Sequence, residues 1–183
     1  MNKHEFEEHY QSRMLQHLGP IGFKAHDKTI ALRDDLNTIS VIRLGGRMAS
    51  PGSASHILCF RHSFLRGMDE TMPASVSRSP FDYPYKLRPS LIVQRVRARV
   101  SPLAEYSPHN LNFDYDRYPF ESRTSEQVDE WIDALAVTIA DHFMPWVSAC
   151  TPAKAASEII ARGEDAWCER LWLSDYRDWA EQI

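Results

Sequence analysis

The chain has 183 residues, 43% of them hydrophobic, and a formal net charge of −4. That length suits one domain, and burying ~70% of the unfolded surface requires no disulfide or metal staple. Net acidity argues against a whole-molecule nucleic-acid binder. No apolar run approaches the ~20 residues that span a bilayer, and Met1 to Glu5 lack the apolar core of a signal peptide, so a cytoplasmic protein is expected.

The charge is unevenly spread. Residues 1–100 carry 15 Lys+Arg against 9 Asp+Glu, a net +6, whereas residues 101–183 carry 6 against 16, a net −10. The two parts can neutralise each other, or each can face a partner. Cys59, Cys150 and Cys168 are odd in number and form no CxxC pair. A reducing compartment and small buried thiols are expected, not a disulfide framework. The five Trp fall in the C-terminal part and point to an aromatic core there.

The first helix is announced by Asn2 with Glu5 three residues on, a capping-box pattern. Phe6, Tyr10, Met14 and Leu18, with Leu15 beside them, make one apolar face, and Gly19-Pro20 stops the helix. His4, His9 and His17 lie on other faces and read as solvated; His9 and His17 are too far apart to share a metal. Three strands follow, Thr29–Leu32, Thr38–Leu44 and Ser55–Leu65, entered through Gly22-Phe23-Lys24 and joined by polar turns such as Arg33 to Asn37. Their spacing predicts an antiparallel meander.

Pro73, Pro80, Pro84 and Pro89 break residues 66–90 into a long loop. Leu91 to Val100 is the clearest strand: Ile92, Val96, Ala98 and Val100 point one way, Arg95, Arg97 and Arg99 the other. Residues 101–123 are irregular. Thr124 with Gln127 repeats the capping box and opens a helix with a core stripe of Val128, Trp131, Ile132, Leu135, Ile139 and Phe143, which Pro145 ends or kinks. Thr151-Pro152 starts another helix that Gly163 closes, and Trp167 to Trp179 packs back as one or two short helices.

Arg95, Arg97 and Arg99 are the candidate binding residues. Same-face guanidiniums on a strand sit about 7 Å apart and repel unless they meet anions. The plainest source is the chain's own acidic helices; an acidic protein or nucleic acid is the next, and a catalytic anion clamp the last. In His56-Ile57-Leu58-Cys59-Phe60-Arg61-His62, the two histidines share a face with Leu58 and Phe60 but stand about 20 Å apart, too far for one metal ion. Cys59 and Arg61 take the other face. His109 with Asp114 or Asp116 offers titratable groups, yet there is no GxSxG elbow and no GxxxxGK[ST] loop. Asp34/Asp35, Asp129/Glu130 and Glu164/Asp165 suit turns and helix N-termini.

An N-terminal helix ending in Leu18-Gly19-Pro20-Ile21-Gly22-Phe23-Lys24, then Leu36-Asn37-Thr38-Ile39-Ser40-Val41-Ile42, a later basic strand, and Pro145-Trp146 before the Thr151-Pro152 helix resemble a bacterial domain-of-unknown-function family. The resemblance covers most of the chain and departs from it at the loop of residues 66–90. It implies no catalytic residues. Some similar small bacterial proteins sit in toxin–immunity systems.

The expectation is a single α+β domain over residues 1–183: an antiparallel sheet of about four or more strands, an N-terminal helix on one face, and C-terminal helices completing the core. The expected role is non-enzymatic protein binding, of immunity or inhibitor type, with an acidic protein preferred over nucleic acid as partner and with no membrane, metal or other cofactor. The rival is an enzyme on an anionic substrate, with the Arg ladder as clamp and His62 or His109 as general base.

Overall fold

The computed structural model describes residues 1–26, 29–44, 51–65, 118–162 and 167–183. The architecture is α+β. Helix α1 (Lys3–Leu18) leads into an antiparallel sheet in the order β1 (Lys24–His26), β2 (Thr29–Arg33), β3 (Asn37–Leu44) and β4 (Ser55–His62). Helices α2 (Ser125–Thr138), α3 (Met144–Ala149), α4 (Pro152–Arg162) and α5 (Trp167–Ala180) follow.

Both predicted capping boxes form. Asn2 accepts from the Glu5 amide while Glu5 accepts from the Asn2 amide, and Thr124 and Gln127 exchange the same pair at α2. Each satisfies two amide donors that a helix start leaves orphaned. The α-helical turns of α1 stop at Leu18, but the left-handed residue that redirects the chain is Gly22, at φ 101°, after a 3-10 turn over Gly19–Ile21.

The meander follows the predicted strands, with Lys24–His26 forming a short strand of its own. In the β2–β3 turn, Asp34 Oδ1 accepts from the Leu36 and Asn37 amides, which tightens the reversal. The strand predicted through Leu65 ends at His62, because residues 63–65 turn away. Alternation assigns the faces. Ile30, Ile39, Val41, Leu58 and Phe60 face the helices and join Phe6, Tyr10, Met14 and Leu18 of α1 and Val128, Ile132 and Leu135 of α2 in one buried cluster. The other face carries Ala31, Thr38, Ser40, Ile42 and Arg61, all buried as well.

Pro145 does not end the second apolar stripe. Residues Ile139–Phe143 form a π-turn, and the Met144 amide donates back to Ile139. Proline lacks an amide hydrogen and its ring crowds the preceding turn. The wider turn takes up that mismatch. Ile139, Phe143, Trp146 and Val147 stay buried across it. Pro152 occupies the first position of α4 as predicted, with Thr151 Oγ1 accepting from the Lys154 amide. Trp167 to Trp179 belongs to one helix. The predicted loop of residues 66–90, the strand Leu91–Val100 and the stop at Gly163 lie outside the described residues.

The chain returns to the sheet beside β4. Ala54 and Tyr118 exchange backbone hydrogen bonds at 2.8 Å, and the Glu121 amide donates to Gly52 at 3.2 Å. Gly52 has φ 71°, and a Cβ there would meet the Glu121 carboxylate inside contact distance. Gly52→Ala should therefore lower the thermal midpoint, with a stability loss of about 1–2 kcal/mol for the left-handed backbone alone. Adding Glu121→Ala should restore only the steric part of the loss; full recovery would show that the backbone conformation costs nothing.

Candidate functional site

Arg95, Arg97 and Arg99 lie outside the described residues, as do His109, Asp114 and Asp116. The described titratable groups gather at three other places.

The first is a charged seam between α1 and α2. His9, Arg13 and His17 recur every four residues on α1, and Asp129 and Asp133 do so on α2, so each series forms a stripe. Arg13 grips Asp133 with both prongs, Nε to Oδ1 at 2.7 Å and Nη2 to Oδ2 at 2.8 Å. His17 Nε2 donates to Asp133 Oδ1 at 2.8 Å, His9 Nε2 bonds Asp129, and Arg13 Nη1 stands 3.6 Å from Asp129. A bidentate guanidinium–carboxylate pair is the strong form of such contacts. Its hydrogen bond, helped by that from His17, holds the Asp133 carboxyl down at about 2, against a smaller upward push from burial. Of the histidines read as solvated, His4 is mostly exposed, 3.7 Å from Glu8, and His17 is exposed too, while bonded to Asp133. His9 is partly buried in the seam, because α2 crosses the face of α1 that carries it.

The second is an imidazole at the start of β4. His56 is 2% exposed, and neither ring nitrogen has a hydrogen-bond partner among the described residues. Its ring sits 5.0 Å from those of Tyr10 on α1 and Trp131 on α2. Cross-strand from it is Arg43, whose Nη2 donates to Glu7 at 2.5 Å and whose guanidinium lies 5.9 Å from the centre of the Phe6 ring. Burial pushes His56 down to about 3, and the Arg43 charge pushes the same way. The Tyr10 hydroxyl is buried without a partner too, and burial raises it above the ordinary phenol range, against a pull from Arg43.

The third is the other end of the same strand face. His62 is 1% exposed and its two nitrogens are likewise without a partner among the described residues. Phe64 stacks on it at 5.4 Å, while Phe60 and Trp172 of α5 meet it edge-on at 4.9 and 5.6 Å. Burial brings it down to about 4; the Leu36 carbonyl pulls the other way without making a hydrogen bond to the ring.

The two imidazoles do share a face with Leu58 and Phe60, as the alternation predicts, and both are buried there. An enclosed, neutral imidazole is badly placed to take a proton from a solvent-borne substrate, since a general base has to reach within ~3 Å of it. That weighs against His62 as the base of an enzyme. Among the described residues no three of His, Cys, Asp or Glu come together as a metal cage. Cys150 is buried, and burial pushes its thiol up to about 12, so it is no ready nucleophile.

Two outcomes follow for stability. An unfolded histidine titrates near 6.5, but His56 and His62 stay neutral in the fold until about 3 and about 4. Their contribution is complete above about pH 6.5 and is lost as pH falls towards 4, because the unfolded chain then binds two protons that the fold excludes. Denaturant titrations should show a slope of up to about 1.4 kcal/mol per pH unit for each histidine, and His56→Phe should remove one proton from that slope. An unchanged slope in this variant would refute the assignment. For Asp133 the sign is the usual carboxylate one: stability is present above about 4 and is lost as pH falls through about 2. Asp133→Asn should therefore lower the thermal midpoint at pH 7, and the gap from the parent should close between pH 4 and pH 2. A gap constant over that range would mean that the carboxylate charge contributes nothing.

Comparison with family models, with curated proteins and with solved structures finds no match to this chain.

Proposed function

We propose that this chain is a cytosolic bacterial protein-binding module of the immunity or inhibitor type, whose Arg95, Arg97 and Arg99 engage an acidic protein partner. The observation that carries it is the segregation of charge, net +6 over residues 1–100 against net −10 over residues 101–183. The seam adds support. Asp129 and Asp133 of the acidic part are engaged by Arg13 and by the imidazoles of His9 and His17 on α1. Those two carboxylates are thus occupied without drawing on the ladder. Clustered arginine is suited to planar, bidentate recognition of carboxylates, and segregated charge steers association. The resemblance to a bacterial domain-of-unknown-function family favours the same role. No described helix is long and apolar enough to cross a membrane. The enzymatic alternative keeps the same clamp, but its base would have to be His109, given the enclosure of His62.

A tagged pull-down from native lysate at low and high salt should recover one acidic protein at low salt and lose it at high salt, since exposed charge pairs are screened. Arg97→Glu should abolish capture while leaving the thermal midpoint unchanged. Capture that survives the reversal would overturn the ladder as the binding face, and recovery of nucleic acid in place of protein would overturn the partner class.

A further inference from the structure

We propose that α5 is an acid-released latch, held shut over β4 by the neutral, unpartnered ring of His62. Three observations carry this. The His62 ring is enclosed by aromatic faces, one of them Trp172 of α5. The grip of α5 on the strand end is itself aromatic: Phe64 stacks on Trp179 at 4.9 Å, meets Trp172 edge-on at 5.5 Å, and lies 6.1 Å from Tyr176. Neither His62 nitrogen has a well-formed hydrogen bond among the described residues, and the pull of the Leu36 carbonyl is too weak to offset burial of a charge on the ring.

A protonated imidazole in such a place carries two N–H donors and a full charge with no acceptor, and the enclosure has to open for water to reach it. The titratable and charged groups on the elements around it do not change that balance. Asp34 and Asp35 lie in the β2–β3 turn, where the Asp34 carboxylate is bonded to two amides. Arg61 points from the opposite face of β4 and donates to the Leu65 carbonyl. On α5 the charged residues are Glu169, Arg170, Asp175, Arg177 and Asp178. Burial outweighs every other influence on the ring, and no charged side chain is among the remaining ones.

The α1–α2 contact is held differently. The seam is closed by the Arg13–Asp133 fork, and Asp133 stays ionised down to about 2. His56, the other enclosed imidazole, faces α1 and α2.

The release takes up one proton. With the ring at about 4 when closed and near 6.5 when free, the opening equilibrium should rise on the order of 30-fold between pH 7.5 and pH 5. Backbone hydrogen exchange on the full chain at these two pH values, with rates divided by the intrinsic rate at each, tests it. The expected result is a roughly 30-fold loss of protection in the amides of residues 172–179. In His62→Gln and His62→Leu, neither of which titrates there, the pH effect on α5 should vanish. An α5 that keeps its protection at pH 5 in the parent protein would overturn the proposal without recourse to a variant. So would an α5 response that persists in either folded variant.

Discussion

One strand face sets the terms for the rest of the molecule. His56, Leu58, Phe60 and His62 alternate along β4, and all four point into the layer of helices. The two apolar members favour burial by the hydrophobic effect. The two imidazoles at the ends cost free energy when dried, because neither finds a hydrogen bond among the described residues. The helical layer has to cover both kinds. α1 lays Phe6, Tyr10, Met14 and Leu18 over the sheet, α2 adds Val128, Ile132 and Leu135, and α5 closes the far end with Trp172.

Helix placement then follows from two different kinds of contact. Between α1 and α2 the apolar stripes meet, and directly beside them runs the row of charge pairs. His9, Arg13 and His17 each precede a buried residue of α1, and Asp129 and Asp133 each follow a buried residue of α2. The pairs connect 9 to 129, 13 to 133 and 17 to 133, so the two helices run in the same direction with a fixed register. Rows of charge flanking an apolar stripe add little energy each but penalise slippage, since a shift of one turn strands a charge opposite an apolar neighbour. Where α5 meets the strand end, Trp172 and Trp179 pack ring on ring against His62 and Phe64.

Much of this could be read locally. The capping boxes at Asn2 and Thr124 act within four residues, and the meander depends on short turns such as the one Asp34 ties. Alternation along 56–62 put both histidines on the face of Leu58 and Phe60. The seam could not be read so directly. Its partners are 116–120 residues apart, and an i, i+4 row of histidines and arginine looks the same facing solvent as facing another helix. The signal that was there is positional: each cation directly precedes a member of the apolar stripe, which is the border where a neighbouring helix arrives. Pro145 misleads for a related reason. A proline breaks the regular α ladder, but the stripe through Phe143 and Trp146 is apolar enough to continue once a π-turn absorbs the missing amide. The ladder of Arg95, Arg97 and Arg99 falls outside the described residues, so its face stays with the sequence reading.

The charge partition of the sequence thus separates into two parts with different fates. Some of it is spent inside the fold, where cations from the basic part meet carboxylates from the acidic part along α1 and α2. That share is insensitive to mild acid, because Asp133 remains ionised to about 2. The imidazoles under the helices are the opposite case: they contribute while neutral and oppose the fold once charged. The helical layer is thus joined along α1 and α2 by a carboxylate fork that mild acid leaves in place, and it covers two rings that mild acid turns against it.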